Sequence, residues 1–398
     1  MKIFFITIII IIFAIKFVIM DIKKIQNPFI IGNYIDDFFF CDREKETVFM
    51  QKQIENGRNV TIISPRRMGK SGLIHHFFNQ ERIKECYDLF FIDLYSTSSL
   101  AEFVCLFGKE VFERLKSRGE KWRERMFQVV KSLRAGFKLD VQTGMPVFDI
   151  GIGEIPSPQT SLKEIFSYLE KSEKPCIVAL DEFQQVGNYD EKNTEALLRT
   201  FIQQCSNVHF IFAGSKQHMM SNMFSSPSKP FYQSAISMGL EPIPADIYAE
   251  FATRLFNAYN KQVEHEVPLK VWSLYEGHTW FVQMVMNELF AITPTGGACT
   301  LDMIDEAIQN VVMVQETTYK ETLSRIPSKQ KMLLQALAKE GIANNITSSK
   351  FIKKYALLSA SSVQASAKLL LKNDIITKTD NKYRIYDFFF AQWLAKVL

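Results

Sequence analysis

Asn59-Val60-Thr61-Ile62-Ile63-Ser64-Pro65-Arg66-Arg67-Met68-Gly69-Lys70-Ser71-Gly72-Leu73-Ile74-His75-His76-Phe77 is the stretch from which the rest of the chain can be read. Val60 to Ile63 is a short apolar run rich in β-branched residues, which predicts a buried strand. Ser64 to Gly69 is a loop, and from Ser71 onward Leu73, Ile74, Phe77 and Phe78 recur at helical spacing. A strand, a loop ending in Gly69-Lys70-Ser71 and a helix make the layout of a phosphate-binding loop. A helix N-terminus offers unpaired N–H groups and the positive end of a dipole to an anion. Gly69 lets the backbone approach a phosphate, Lys70 can reach the terminal phosphates, and the Ser71 hydroxyl can ligate Mg²⁺. Ser64 stands where the G-x-x-x-x-G-K-[ST] pattern has glycine. The alternative reading is a basic turn between strand and helix.

A second decisive stretch is Cys176-Ile177-Val178-Ala179-Leu180-Asp181-Glu182, an apolar strand ending in two carboxylates. At the C-terminal end of a parallel strand such groups face the crevice where ligands bind. Asp181 can hold Mg²⁺ directly or through water. Glu182 is placed to polarise an attacking water. Val208 to Ser215 reads as another buried strand, and its terminal Ser215 suits a sensor touching a γ-phosphate or that water. The expected nucleotide-binding set is therefore Ser64, Pro65, Arg66, Arg67, Met68, Gly69, Lys70, Ser71 and Gly72. Ser71 and Asp181 are the expected metal ligands, and Glu182, Lys70 and Ser215 the catalytic groups. Arg66 and Arg67 suit phosphate contact, a neighbouring subunit or plain solvation. Arg199 lies on a helix between the carboxylate and sensor strands, where it could act across a subunit interface in an oligomer. His278, after Gly277, could approach the nucleotide from the following domain. Thr377-Lys378-Thr379-Asp380 mimics a guanine-reading pattern, but it falls far beyond the nucleotide domain.

The 398 residues allow two or three domains, and an apolar share of 47% is ordinary for a globular chain. The net charge of +4 is unevenly spread: residues 322–398 carry 13 Lys and Arg against 4 Asp and Glu, a net of +9, which leaves −5 for the rest. The six cysteines form no C-x-x-C pair, which points to free thiols and away from a zinc site. The fold class expected is α/β: a P-loop NTPase parallel sheet flanked by helices in residues 27–242, then a helical lid at 243–320 and a winged helix at 321–398. Leu100 to Leu133 has a helical pattern, and alternation around Phe137 to Ile150 predicts a β-hairpin, both within an insertion at about 97–160. Val267-Pro268 and Glu276 to Thr279 are expected to interrupt the lid helices, and Ser328 to cap the first helix of the winged region. Three helices followed by strands at Ile375 to Thr379 and Tyr383 to Tyr386 complete that motif. Its recognition helix turns Ser361, Ser362, Gln364 and Lys368 outward, and Lys350, Lys353, Lys354, Lys378, Lys382 and Arg384 add charge suited to DNA phosphates. The helix has no arginine for bidentate guanine contact.

In combination these stretches resemble the archaeal ATPase family, P-loop ATPases of the AAA+/STAND type with a C-terminal winged helix. The resemblance rests on Asn27-Pro28-Phe29 with Phe40, Arg43 and Glu46; on Ser64 to Ser71; on Leu180-Asp181-Glu182-Phe183-Gln184; on Phe212-Ala213-Gly214-Ser215 with Met220, Phe224 and Pro230-Phe231-Tyr232; and on Asp387, Phe389, Phe390, Trp393 and Leu394. Ser64 departs from the usual Gly, and Thr279 stands where the family's turn has Pro. The resemblance implies a Mg²⁺-dependent ATP-binding and hydrolysing switch, regulatory or signalling, with an unidentified protein partner. The alternative it leaves open is a DNA-associated ATPase of initiator or mobile-element type.

Residues 1–26 hold an apolar run from Ile3 to Met20, broken by Thr7 and Lys16. A signal peptide fits the length but lacks a small-residue cleavage site. A membrane anchor is the second reading, with Lys23 and Lys24 holding the bulk of the chain in the cytoplasm. The preferred third is that translation starts at Met20, since a cytoplasmic ATPase needs no anchor.

Overall fold

Period-two alternation along the central strands gives the nucleotide domain its main sheet two buried faces. The structure, a computed structural model, describes residues 25–115, 137–139, 146–148 and 157–397. The apolar N-terminal run on which the Met20-start, anchor and signal-peptide readings bear, the part of the long helical pattern after Leu115 and the turn of the inserted hairpin fall outside these residues. Among the described residues no helix is long and apolar enough to cross a membrane. The chain divides into two compact units, residues 32–243 and residues 244–398 with the segment that ends at Ile31.

In the first unit β1 (Val60–Ile63), β2 (Asp88–Asp93), β5 (Cys176–Asp181), β6 (Val208–Gly214) and β7 (Ile236–Met238) form one sheet in the order β2-β5-β6-β1-β7. Every pairing in it is parallel. Ile177 and Ala179 of β5 and Ile211 and Ala213 of β6 pack with Met50, Ile54, Leu73 and Phe77. These partners come from α1 (Glu44–Glu55) and α2 (Lys70–Asn79). The alternate residues Val178, Leu180, Phe210 and Phe212 pack on the other face with Phe103, Phe107, Leu162, Ile165, Leu198 and Phe224. Those lie on α4 (Leu100–Leu115), α5 (Pro158–Glu170), α6 (Thr194–Gln204) and α7 (Gln217–Ser225), while the short α3 (Glu81–Cys86) leads into β2. Each such side chain, fully buried, contributes about 1.5–3 kcal/mol. The same parity sends Asp181 to the face that α2 covers. Gly57 follows α1 with φ +72°, a conformation that suits glycine. The predicted hairpin is present as β3 (Phe137–Leu139) and β4 (Pro146–Phe148), antiparallel with Phe137 opposite Phe148. The buried Arg43 explains the pattern around it: Nη1 donates to Glu46 Oε1 at 2.6 Å and to the Glu241 carbonyl at 2.8 Å.

The second unit begins with α8 (Ala245–Ala258), α9 (Glu266–Leu274), α10 (Thr279–Ile292) and α11 (Met303–Arg325), with β8 (Gln262–Val263) and β9 (Ala298–Cys299) pairing in parallel. Asn27 to Phe29 belong to this unit rather than to the nucleotide domain in which the sequence reading placed them. Phe29 is fully buried, 5.5 Å from the Phe256 ring and 5.9 Å from Phe290. Asn27 Nδ2 donates to the Asn287 carbonyl at 2.8 Å, and Asn287 Nδ2 donates to the Phe29 carbonyl at 2.7 Å. Val267-Pro268 does not interrupt a helix. It lies in the first turn of α9, where proline's missing N–H costs nothing. The 23-residue α11 runs unbroken through position 320, so the expected border between lid and winged helix falls inside one helix.

The winged region follows as α12 (Ser328–Glu340), β10 (Ala343–Asn344), α13 (Ser349–Lys354), α14 (Ala360–Lys372), β11 (Ile376–Thr379), β12 (Lys382–Ile385) and α15 (Phe388–Val397). Ser328 is the first residue of α12, not its cap. Pro327 holds the cap position and no side chain bonds the first turn. Ser348 and Ser359 do cap, accepting from the Phe351 and Ser362 amides. The predicted wing hairpin turns at Asp380 and Asn381, with φ of +49° and +62°, and gains a third strand in the order β10-β12-β11. Asp387 Oδ1 accepts from the Phe389 and Phe390 amides and so starts α15.

Candidate nucleotide site

The loop between β1 and α2 turns on two left-handed residues, Arg67 at φ +64° and Gly69 at φ +91°. Ser64 is not among the positive-φ residues, so this loop places no conformational demand for glycine there. Ser64 is 1% exposed, and its Oγ donates to the Leu240 carbonyl at 3.4 Å. Lys70, 6% exposed, donates from Nζ to the carbonyls of Ser64 at 2.9 Å and Pro65 at 2.7 Å. Burial lowers its pKa to about 8, against the opposing pull of the Glu182 and Asp181 charges. Met68 is buried in the core beside Leu73. Gly72 sits where an added Cβ would lie 3.4 Å from the Phe40 ring.

Strand parity and the start of α2 bring Ser71 and Asp181 together. Ser71 Oγ donates to Asp181 Oδ2 at 2.5 Å across 110 residues of sequence. Burial raises the pKa of Asp181, while the bonds from Ser71 and from the Glu182 amide pull it down. Glu182 then takes a left-handed backbone, φ +52°, which swings its side chain from the end of β5 toward the end of β6. There Ser215 Oγ donates to Glu182 Oε2 at 2.7 Å, and Arg66 Nε donates to Ser215 Oγ at 3.3 Å. Gln184 Nε2 bonds the same Glu182 Oε2. The site thus joins a hydroxyl and carboxylate suited to a hard cation, an ammonium beside the first turn of a helix, and a second carboxylate held by an arginine-linked serine.

A family model for the ATPase domain predominantly from Archaea matches residues 40–285, more than half of the chain. The chain belongs to this ATPase family. A winged helix domain model matches residues 317–396 of the same ATPase. An uncharacterized ATP-binding protein of Methanocaldococcus jannaschii is 26% identical over 166 residues. That match covers 39% of this ATPase and spans less than half, 45%, of the relative's own length. A Walker-type ATPase of Pyrococcus abyssi superposes with TM-score 0.62 at 19% identity, covering 92% of this chain and 99% of that one. The Aeropyrum pernix ORC2 protein, solved in ADPNP–ADP complexes, gives 0.58 at 13% identity over 94% and 96% of the two chains. The A. pernix ORC1 protein, solved in complex with DNA, gives 0.51 at 10% identity over 90% and 95%. At these identities the likeness is one of fold.

Of the expected site residues in this ATPase, Arg66, Ser71, Asp181, Glu182 and Ser215 are linked directly by hydrogen bonds, and Lys70 bonds the loop that carries Arg66. Gln184 was missed as a site residue. Only its place two positions after Glu182 signalled it, because a glutamine beside a carboxylate pair has no pattern of its own. Gly214 makes room for it: an added Cβ would lie 2.4 Å from Gln184 Oε1. Arg199 stands apart from this network. With the Gln203 amide oxygen turned toward it, its Nη2 donates there at 2.7 Å, one turn along α6. His278 lies in the second unit, its Nε2 3.5 Å from Arg384 Nη2 and its ring 5.5 Å from that of Phe388.

Proposed function

We propose that this ATPase binds ATP with Mg²⁺ at the loop of Ser64 to Gly72, hydrolyses it, and works as a molecular switch of the AAA+/STAND type. The observation that carries the reading is the pairing of Ser71 with Asp181 beside that of Ser215 with Glu182 at neighbouring strand ends. The donor set fits the ion, since a hydroxyl and a carboxylate 2.5 Å apart are hard oxygen ligands. Mg²⁺, when bound by Ser71 and Asp181, neutralises charge on the phosphate oxygens. Lys70 and the first-turn N–H groups of α2 orient the phosphates. Both bonds to the Glu182 carboxylate fall on Oε2, which leaves Oε1 to accept a proton from the attacking water. Ser215 and Gln184 fix that carboxylate, and Arg66 links it to the loop. Arg199, half exposed on α6, is the group this reading assigns to a neighbouring subunit.

Wild-type chain should bind and turn over ATP, and Lys70→Ala should lose at least about tenfold in affinity through the missing charge-assisted bonds. Lys70 loses its proton as pH rises through about 8. Without divalent cation, ATP affinity should therefore fall between neutral pH and a pH above that value, and Lys70→Arg should flatten the fall. Fluorescent-nucleotide titration across pH reads both effects; unchanged affinity in Lys70→Ala would sink the assignment.

The switch is read first as regulatory, its winged helix contacting a protein partner. A second reading, DNA association, is favoured by the exposed Gln364, Lys368 and Lys372, one turn apart on α14, with Lys378 and Lys382 exposed on the wing. Two of the expected cations are already engaged: Arg384 pairs with Glu276 and Lys354 with Glu340, both at 2.5 Å. With fewer free cations the salt slope should be shallow, near −0.9 per phosphate neutralised for about three to five contacts. A mobility-shift titration checks this, and no binding of duplex at low salt removes the second reading.

A further inference from the structure

The winged region holds a groove, largely apolar in its lining with polar side chains along it, that shares Ser361 and Ser362 with the helix the DNA reading uses. One lobe, about 790 Å³, lies between the N-terminus of α12 and the flank of α14. A second, about 370 Å³, continues from it and shares Pro327, Gln330 and Leu369. Gln330 is 8% exposed and lines both lobes, and Ser366 is 5% exposed and lines the larger. Neither side chain has a hydrogen-bond partner among the described residues. Their polar atoms open onto the groove, where they are available to a ligand. A ligand with several acceptor oxygens can take a bond from each.

The surroundings define the ligand's charge. The first turn of α12, a 13-residue helix, has no capping side chain and no acidic residue; the Gln330 amide bonds the Pro327 carbonyl, which leaves the Ser328 and Lys329 amides and the helix dipole at the groove. Lys329 lines the larger lobe and Arg325 the smaller, and no carboxylate lines either. Leu369, 47% exposed, gives the groove an apolar wall. Donors on one side, cations at both ends and an apolar wall suit an organic phosphate.

We propose that this groove is a binding site for a small phosphorylated organic anion, formed wholly by residues of the winged region and its preceding helix. The amide of Gln330 and the hydroxyl of Ser366 donate to the phosphate, the open turn of α12 and Lys329 hold its charge, and Leu369 covers the organic part.

Isothermal titration of the full chain carrying Lys70→Ala, with pyrophosphate as probe and no divalent cation, tests the site without the ammonium of the nucleotide loop. Saturable binding is expected. Lys329→Glu and Gln330→Leu should each weaken it about tenfold, the loss of one bond to a charged group. Gln330→Leu should also leave the probe-free melting temperature close to that of the parent, because the amide it removes has no partner within the protein. No binding at millimolar pyrophosphate, or equal affinity in both variants, overturns the proposal. Displacement of pyrophosphate by a short DNA duplex that Gln330→Leu also weakens would instead make the groove a backbone contact of DNA, and the small-ligand assignment would fall.

Discussion

Glu182→Gln should reduce steady-state ATP turnover by about 10²–10⁴-fold while leaving ATP affinity close to that of the wild type. The substitution preserves shape. The glutamine carbonyl can still accept from Ser215 and Gln184, as Oε2 does now at 2.7 Å from the serine. What changes is the other terminal atom, from a carboxylate oxygen that accepts a proton to an NH₂ group that cannot. Lys70, Ser71 and Asp181 are untouched, so binding survives. Phosphate release in single turnover, alongside nucleotide titration, separates the two quantities. Turnover equal to wild type would remove Glu182 from the chemistry, and no turnover in the wild type would leave the chain a nucleotide-binding scaffold.

Phe212→Ala should destabilise the nucleotide domain by about 3–5 kcal/mol. Phe212 is fully buried on β6, with ring centroids 4.7 Å from Phe183, 5.2 Å from Phe224 and 5.6 Å from Phe231. These neighbours come from three separate segments, so the void left by truncation cannot close by moving one of them. The effect reaches the site because Ser215 follows directly on the end of the same strand, three residues beyond Phe212. Urea unfolding monitored by far-UV circular dichroism measures the loss, and Phe212→Leu should cost clearly less than the alanine. An alanine variant as stable as wild type would mean that the aromatic cluster is slack.

The parts of the site written in contiguous residues were legible in the sequence. Val60 to Phe77 and Cys176 to Glu182 each carry strand, turn and candidate site residues within one stretch, and the family match agrees with the ATPase reading drawn from them. Sheet order and the network around Glu182 were not legible in this way. The Arg66–Ser215 bond joins residues 149 apart, and it depends on the left-handed turn at Glu182 that redirects one side chain. Ser64 looked like a defect because the motif is written as letters. The backbone shows that the demand for positive φ falls on Arg67 and Gly69 instead. Ser328 was misread for a related reason, since a serine before a helix caps it only from the non-helical position that Pro327 takes here. The docking of Asn27 to Phe29 could not be inferred either, because their partners lie more than two hundred residues away in the chain.

That docking has a consequence for the order of events on the ribosome. Asn287, which bonds the Phe29 carbonyl, is 258 residues further along. At about 5–20 residues per second, on the order of 10–50 seconds separate synthesis of the two partners. Through that interval the whole nucleotide domain emerges while Phe29 waits without its pocket. The second unit can close only after the first has had time to fold, so a nascent chain arrested near residue 243 should present Phe29 as an exposed, chaperone-accessible segment.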